Sequence, residues 1–197
     1  MTKIKMCGLR REEDIDFVNR IKPEYIGYVF AESSKRYVQL EKAAELTKKL
    51  NGDIIPVGVF VNSPIECVID TVKSGAVRAV QLHGEEGEDY VKELKKPGIC
   101  VIRAFRVTSP ADIRAAENSC ADYVLLDSGQ GSGETFDWSL IGSIKREYFL
   151  AGGLTAENAA DAINMLHPYA VDASSCLEAG GFKDYNKMKA FAEAVRG

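Results

Sequence analysis

The sequence predicts an α/β fold, a single (β/α)8 TIM barrel in a short version with reduced helices. Short apolar runs alternate with helix-like segments along the whole chain, which is typical of a parallel sheet. Eight such units fit in the 197 residues, and no linker or low-complexity tract divides them. We therefore expect one domain over residues 1–197. An open doubly wound sheet is the remaining alternative on pattern alone, although no G-x-G-x-x-G turn follows the first strand.

Eight apolar runs, each bounded by polar or glycine-containing stretches, predict the strands. In chain order these runs are Ile4–Cys7, Tyr25–Phe30, Ile54–Val61, Arg78–His83, Ile99–Phe105, Tyr123–Asp127, Tyr148–Ala151 and Tyr169–Asp172.

A helix is predicted after each run. Ser63-Pro64 and Ser109-Pro110 open the third and fifth helices, because proline is favoured at the first helical position. Thr155 is expected to cap the helix after the seventh strand. The chain is short for a barrel, so some helices, such as the fifth and sixth, are expected to be reduced. The other predicted helices are Arg11–Arg20, Gln39–Leu50, Tyr90–Lys95, Trp138–Ile144 and Tyr185–Val195.

The amino-acid composition limits the classes of function that the protein can have. A hydrophobic content of 46% and a charged content of 27% are ordinary for a soluble globular protein. The net charge of −4 and pI near 5.4 give no support to nucleic-acid or anionic-membrane binding. The N-terminus does not have the pattern of a signal peptide, and no apolar run is long enough to span a bilayer. The five scattered cysteines contain no CxxC pair, and with only two histidines no metal site is expected. These features favour a cytoplasmic enzyme with reduced thiols.

The carboxyl ends of barrel strands converge on one site, so the residues at those ends are the candidates for chemistry. Gly152-Gly153 after strand seven and Ser174-Ser175 after strand eight occupy the usual phosphate position of a barrel. The alternative is that these residues only cap and turn the chain. Because two adjacent loops agree, we expect a small phosphorylated ligand. The candidates at the strand ends are Cys7, Arg36, Asn62, His83, Asp127, Gly152, Gly153, Asp172, Ser174 and Ser175.

Cys7 and Asp127 lie on strands one and six, on different sides of the barrel mouth. A thiolate accepts a proton once its pKa falls toward neutrality, and a buried carboxylic acid can protonate a leaving oxygen. This pair suits an isomerisation. The alternatives are a small buried core residue for Cys7 and a turn residue for Asp127. Asp127 also opens a loop with Gly129, Gly131 and Gly133, which we interpret as a mobile lid.

Three further residues have open assignments. Arg36 could clamp a carboxylate bidentately or be a solvated surface charge. His83 could donate to a substrate or be a satisfied strand-end histidine. Asp172 could accept from sugar hydroxyls or cap the final loop.

Seven segments, taken in order, resemble the phosphoribosylanthranilate isomerase family and together cover nearly the whole chain. They read KIKMCGLRREEDI, GYVFAESSKRYV, PVGVFVN, VQLHGEE, LLDSGQGSGETFDW, LAGGLTAENAADAI and VDASSCLEAGGFKD.

The resemblance implies an Amadori rearrangement in tryptophan biosynthesis, with no cofactor or metal. The substrate would be N-(5-phosphoribosyl)anthranilate and the product 1-(2-carboxyphenylamino)-1-deoxyribulose 5-phosphate. By the family pattern, Asp127 is the general acid that opens the ribose ring and Cys7 the general base at C2. Arg36 matches the residue that holds the anthranilate carboxylate, and Asp172 the residue near the ribose hydroxyls. The sequence is compatible with a monomer or a homodimer.

Two departures from the family pattern stand out. Cys176 replaces a glycine after strand eight, and a cysteine would be strained there if the position needs a positive φ. In the loop after Asp127, one glycine of the family pattern is displaced.

Two alternatives remain at this point. A histidine-pathway isomerase catalyses the same rearrangement with two aspartates, but the strand-one residue here is Cys7 and no internal half-repeat is evident. A non-catalytic phosphate-binding barrel would keep the phosphate loops but would not need both Cys7 and Asp127.

Overall fold

A computed structural model describes residues 1–127, 138–141 and 144–197, and its eight parallel strands close into a barrel. Each strand pairs with the next along the chain, and β1 closes the ring against β8. The predicted (β/α)8 barrel is confirmed, and the open-sheet alternative is wrong. The strands are β1 Lys3–Cys7, β2 Tyr25–Val29, β3 Ile55–Phe60, β4 Ala79–Leu82, β5 Cys100–Arg106, β6 Tyr123–Asp127, β7 Tyr148–Leu150 and β8 Ala170–Ala173.

Seven α-helices cover the outside of the barrel in the part of the chain that the structure describes. None of these helices is long and apolar enough to cross a membrane. The helices are α1 Glu12–Ile21, α2 Leu40–Lys48, α3 Ile65–Lys73, α4 Glu88–Lys95, α5 Pro110–Asn118, α6 Ala159–Leu166 and α7 Tyr185–Arg196.

The expected reduction of the fifth helix is wrong. Helix α5 has nine residues, and it begins with a capping box in which Ser109 and Asp112 satisfy each other's backbone N–H groups. Pro110 follows the cap, as the sequence predicts. Between β6 and β7, where a helix was predicted over Trp138–Ile144, the described residues contain one 3₁₀ turn, Trp138–Ile141.

Helix α6 begins later than predicted. Thr155 does not cap it; the N-cap is Asn158, five residues after Gly153. The Asn158 side chain accepts from the Thr155 N–H at 2.8 Å and donates to the Gly153 carbonyl at 2.9 Å. The side chain of Asn158, the N-cap of α6, therefore fixes the conformation of the loop after β7.

A two-stranded antiparallel hairpin after β8 was missed by the sequence analysis, which treated the segment as a loop. It consists of β9 Glu178–Ala179 and β10 Phe182–Lys183. Gly180 and Gly181 form its turn with φ of +58° and +82°, values that a two-residue hairpin loop requires and that glycine adopts easily. This hairpin returns the chain to the mouth of the barrel.

The barrel interior is packed with side chains and is not a pore. The packed residues come from alternate positions on the strands, including Tyr25, Val57, Ile102, Leu125 and Phe149.

Hydrogen-bonded tyrosines lie at the end of the barrel where the strands begin. The Tyr169 hydroxyl lies 2.9 Å from that of Tyr25 and 3.3 Å from that of Tyr123, and it accepts from Lys3 Nζ at 2.6 Å. These side chains fill the end of the barrel where the strands begin. The interior is therefore open to solvent at the opposite end, where the strands end.

Candidate active site

A cavity of about 1100 Å³ lies at the carboxyl ends of the strands, large enough for a small phosphorylated ligand. Every site residue named in our prediction lines it except Asn62. The lining includes Cys7, Arg36, His83, Asp127, Gly152, Gly153, Asp172, Ser174 and Ser175. The structure therefore brings these predicted residues to one cavity, although this convergence alone assigns no role to any residue.

Cys7 lies at the end of β1, with only 8% of its surface exposed. Two residues earlier on the same strand, Lys5 is fully buried, and its Nζ makes an ion pair with Asp172 Oδ2 at 2.9 Å. Burial alone would lower the pKa of Lys5, but the adjacent Asp172 and Cys7 outweigh it and raise that pKa above its ordinary value. Lys5 is thus a fixed positive charge beneath Cys7.

The pKa of Cys7 is raised above its ordinary value, not lowered as the chemistry of a base suggests. Burial is the largest cause, because a thiolate is poorly solvated inside the barrel. The Lys5 and Lys183 ammonium groups act in the opposite direction and favour the thiolate, while Asp172 disfavours it. In the free protein Cys7 is therefore mainly a thiol, and the thiolate that forms from it is a strong base.

Gly27 on β2 leaves the space that the Cys7 side chain occupies. The two residues are partners in the parallel register of β1 and β2. A Cβ atom at Gly27 would lie 2.6 Å from Cys7 Sγ, closer than real Cβ atoms approach such a neighbour, and 3.1 Å from Cys7 Cα, which is a tight contact. Cys7 can therefore occupy its position only because residue 27 has no side chain.

Asp127 ends β6 with its side chain 24% exposed, and it contacts a histidine. Asp127 Oδ2 lies 3.3 Å from His83 Nε2, and His83 Nδ1 lies 2.8 Å from the buried Gln81 Nε2. The Gln81 amide nitrogen can donate to Nδ1, and Nε2 of the ring faces Asp127. The structure therefore places His83 beside the candidate acid, where it can orient the Asp127 carboxyl group.

Arg36 is not a solvated surface charge. Its Nε donates to Glu178 Oε1 at 2.6 Å and its Nη2 to Glu178 Oε2 at 3.0 Å. We predicted that Arg36 binds a ligand carboxylate through two hydrogen bonds. On one edge of the guanidinium, Glu178 of the chain itself already makes such a contact. A ligand carboxylate can use only the other edge.

The loops after β7 and β8 present backbone N–H groups to the cavity. Gly152 and Gly153 have φ of +88° and +67°, and neither amide donates to another described residue. In the loop after β8, Ser174 Oγ donates to the Cys7 carbonyl at 3.1 Å, and Ser175 starts a short 3₁₀ helix. This geometry is compatible with the predicted phosphate site.

Cys176 is not strained. The described non-glycine residues with positive φ are Lys22, Asn62 and His167, so Cys176 has ordinary backbone angles in the 3₁₀ turn. The backbone strain that a positive φ would cause at Cys176 is therefore absent. The glycine loop after Asp127, which we interpreted as a lid, falls in residues 128–137 and lies outside the described residues.

Several polar residues of the site were missed from sequence. Lys5 and Gln81 each lie two residues before a predicted site residue on the same strand, and strand alternation places them on the same side of the sheet. That signal could have found them. Glu178 and Lys183 lie in the unpredicted hairpin, and no sequence signal pointed to them. Among the described residues, no group of three or more acidic, histidine or cysteine side chains could hold a metal ion.

Comparison with known proteins identifies the family. The model of the N-(5'-phosphoribosyl)anthranilate isomerase family matches residues 4–194. The chain belongs to the phosphoribosylanthranilate isomerase family. It is an isomerase of tryptophan biosynthesis, so the two alternatives left open by the sequence are not favoured.

Relatives and solved structures agree with this assignment. The isomerase of Caldanaerobacter subterraneus subsp. tengcongensis is 44% identical, and the alignment covers 100% of this chain and 99% of that protein. A crystal structure of a phosphoribosyl anthranilate isomerase in complex with reduced 1-(o-carboxyphenylamino)-1-deoxyribulose 5-phosphate is 36% identical, with a TM-score of 0.90 and coverage of 100% and 99%. Monomers derived from the dimeric enzyme of Thermotoga maritima are also 36% identical, with a TM-score of 0.89 and the same coverage.

The Gly27→Ala variant tests the close contact between β2 and Cys7. We expect kcat/KM of the isomerase reaction to fall on the order of 100-fold, because a Cβ displaces Cys7 Sγ and misplaced reacting groups are costly. The measurement is steady-state kinetics together with the urea midpoint. Gly52→Ala is the control, since a Cβ there meets nothing within 4 Å. Equal activity of the two variants would show that Cys7 does not need this space.

Titration of the Cys7 thiol tests the effect of burial on its pKa. The thiolate ultraviolet absorbance of the wild type minus that of Cys7→Ser should appear only above the ordinary thiol pKa of about 8.5. The sign follows from burial, which disfavours the charged thiolate and so raises the pKa. A difference titration centred below that value would mean that Lys5 and Lys183 outweigh burial, contrary to our account.

Proposed function

We propose that the chain isomerises N-(5-phosphoribosyl)anthranilate to 1-(2-carboxyphenylamino)-1-deoxyribulose 5-phosphate, with Cys7 as general base and Asp127 as general acid. The observation that carries the proposal is the placement of these two side chains at one cavity, on strands that are not neighbours. Strand β1 pairs with β2 and β8, whereas β6 pairs with β5 and β7. The acid and the base can therefore reach a substrate from different sides.

The substrate is anchored at its two anionic ends. We place the phosphate at the N–H groups of Gly152 and Gly153 and at the Ser174-Ser175 loop, where glycine permits close approach. The anthranilate carboxylate binds Arg36. Between these anchors the ribose lies over Asp172, whose Oδ1 is buried and has no hydrogen-bond partner among the described residues. The Asp172 carboxylate, which lines the cavity, is proposed to accept from a ribose hydroxyl.

Asp127 begins the reaction. In its protonated form it donates to the furanose ring oxygen, the bond from that oxygen to C1 breaks, and an open-chain Schiff base forms. His83 contacts the same carboxyl group and keeps it oriented toward the ring.

Cys7 completes the reaction. Its thiolate removes the proton from C2 of the ribose, which gives an enolamine, and this tautomerises to the ketone as C1 gains a proton and the C2 hydroxyl loses one. The positive charges of Lys5 and Lys183 favour the thiolate that removes this proton. No step requires a cofactor or metal.

The remaining predictions fit this function. We propose that residues 1–197 act as one domain in the cytoplasm on a small phosphosugar, without nucleic-acid or membrane partners. Assembly as a monomer or a homodimer stays a prediction.

Substitution of the two proposed catalytic residues tests the mechanism. We expect Cys7→Ser and Asp127→Asn each to lower kcat by about 10²- to 10⁴-fold while the protein stays folded, because each removes one proton transfer. The assay follows the loss of anthranilate-type fluorescence when purified protein meets freshly made phosphoribosylanthranilate.

Matched controls are Cys67→Ser and Asp89→Asn, since both side chains are exposed on outer helices and should be dispensable. Circular dichroism and the urea midpoint check folding. Full activity in either site variant, or no activity in the wild type, would refute the proposal.

A further inference from the structure

Arg36 is held along its side chain by two contacts within the chain. Gly8, at φ +85°, lies directly against it, and a Cβ at Gly8 would overlap Arg36 Cδ. At its far end, the guanidinium makes the bidentate contact with Glu178 described above. An arginine fixed at both points presents its guanidinium in one orientation, which an otherwise flexible side chain does not.

The contact with Glu178 determines which edge of Arg36 meets a ligand. A guanidinium has five N–H groups, and Glu178 accepts from Nε and Nη2. No other hydrogen bond to Arg36 side-chain donors occurs among the described residues, which leaves Nη1 and the second hydrogen of Nη2. These point in parallel along the end of the guanidinium, and their geometry matches the two oxygens of a carboxylate.

Glu178 also balances the charges around Arg36. Its Oε1 accepts from the buried Lys183 Nζ at 2.9 Å, and Lys183 donates as well to the Ser174 carbonyl at 2.9 Å. Burial disfavours the charged form of Glu178, but the hydrogen bonds from Arg36 and Lys183 outweigh it and hold the pKa of Glu178 below its ordinary value. One carboxylate thus separates two cations, and the cluster keeps a net positive charge suited to an anion.

We propose that Glu178 is a positioning residue of the isomerase: it holds Arg36 so that the end of the guanidinium receives the anthranilate carboxylate. The inference rests on the proposed function, which supplies that carboxylate. Glu178 itself does not touch the substrate. The effect of Glu178 on carboxylate recognition passes through Arg36, whereas its contact with Lys183 affects both substrates alike.

A purely structural role is the competing explanation, since Glu178 also joins the β9–β10 hairpin to the loop that carries Arg36. The two explanations differ for a substrate without a carboxylate. N-(5-phosphoribosyl)aniline retains the phosphate and the ribose but gives Arg36 nothing to bind. A positioning role predicts a defect that depends on the carboxylate, and a structural role predicts the same defect on both substrates.

The experiment compares kinetics of the wild type, E178Q, R36A and the double variant on phosphoribosylanthranilate and on phosphoribosylaniline. E178Q should lower kcat/KM for phosphoribosylanthranilate by about 10- to 100-fold, mainly through a higher KM, because one charge-assisted contact is lost. On phosphoribosylaniline the loss in E178Q should be smaller by about tenfold or more, because only the contact with Lys183 then matters. The losses in the double variant should be less than additive, since Glu178 acts on the carboxylate through Arg36. E193Q, at an exposed position of α7, is the control.

Equal losses on both substrates, or additive losses in the double variant, would overturn the proposal. If E178Q does not fold, E178D provides the same comparison, because it keeps the charge but is too short by one methylene to make the same contacts. Failure of the wild type to convert phosphoribosylanthranilate would instead contradict the proposed function, so the two failures are distinguishable.

Discussion

A buried ion pair joins the first and last strands of the barrel beneath the active site. Lys5 on β1 and Asp172 on β8 are partners in the parallel register, and their side chains meet at 2.9 Å where the ring closes. Loss of one partner of such a pair costs about 3–5 kcal/mol, because the other charge is left buried alone. The pair therefore favours a single register at the closure. Cys7 lies two residues after Lys5 and Ser174 two residues after Asp172, so both site residues take their positions from this contact.

The same region sets the electrostatics of the proposed chemistry. Lys5 and Lys183 favour a thiolate at Cys7, but burial disfavours it more, so the base is stored as a thiol. In the proposed function, Arg36 and the glycine loops meet the two anionic ends of the substrate, while Glu178 lies between the charges of Arg36 and Lys183. Binding and proton transfer thus use separate groups on a common frame of strand ends.

Sequence reasoning recovered the barrel and the residues at its rim, because both follow from local patterns. The run Tyr123–Asp127 is apolar until its last residue, and the strand ends at that residue. Lys5 and Gln81 follow from strand alternation once Cys7 and His83 are chosen. Glu178 could not be found in this way. Its partner Arg36 lies 142 positions earlier in the chain, and the contact depends on where the β9–β10 hairpin lies relative to the loop that carries Arg36.

The central claim is that Cys7 and Asp127 act from opposite sides on a ribose anchored by its phosphate. A crystal structure of this chain with reduced 1-(o-carboxyphenylamino)-1-deoxyribulose 5-phosphate tests it most directly. The account predicts the phosphate at Gly152-Gly153 and Ser174-Ser175, Cys7 Sγ within about 3.5 Å of the ribulose C2, and Asp127 against the former ring oxygen on C4. A phosphate bound elsewhere, or Cys7 and Asp127 on the same side of the sugar chain, would contradict it.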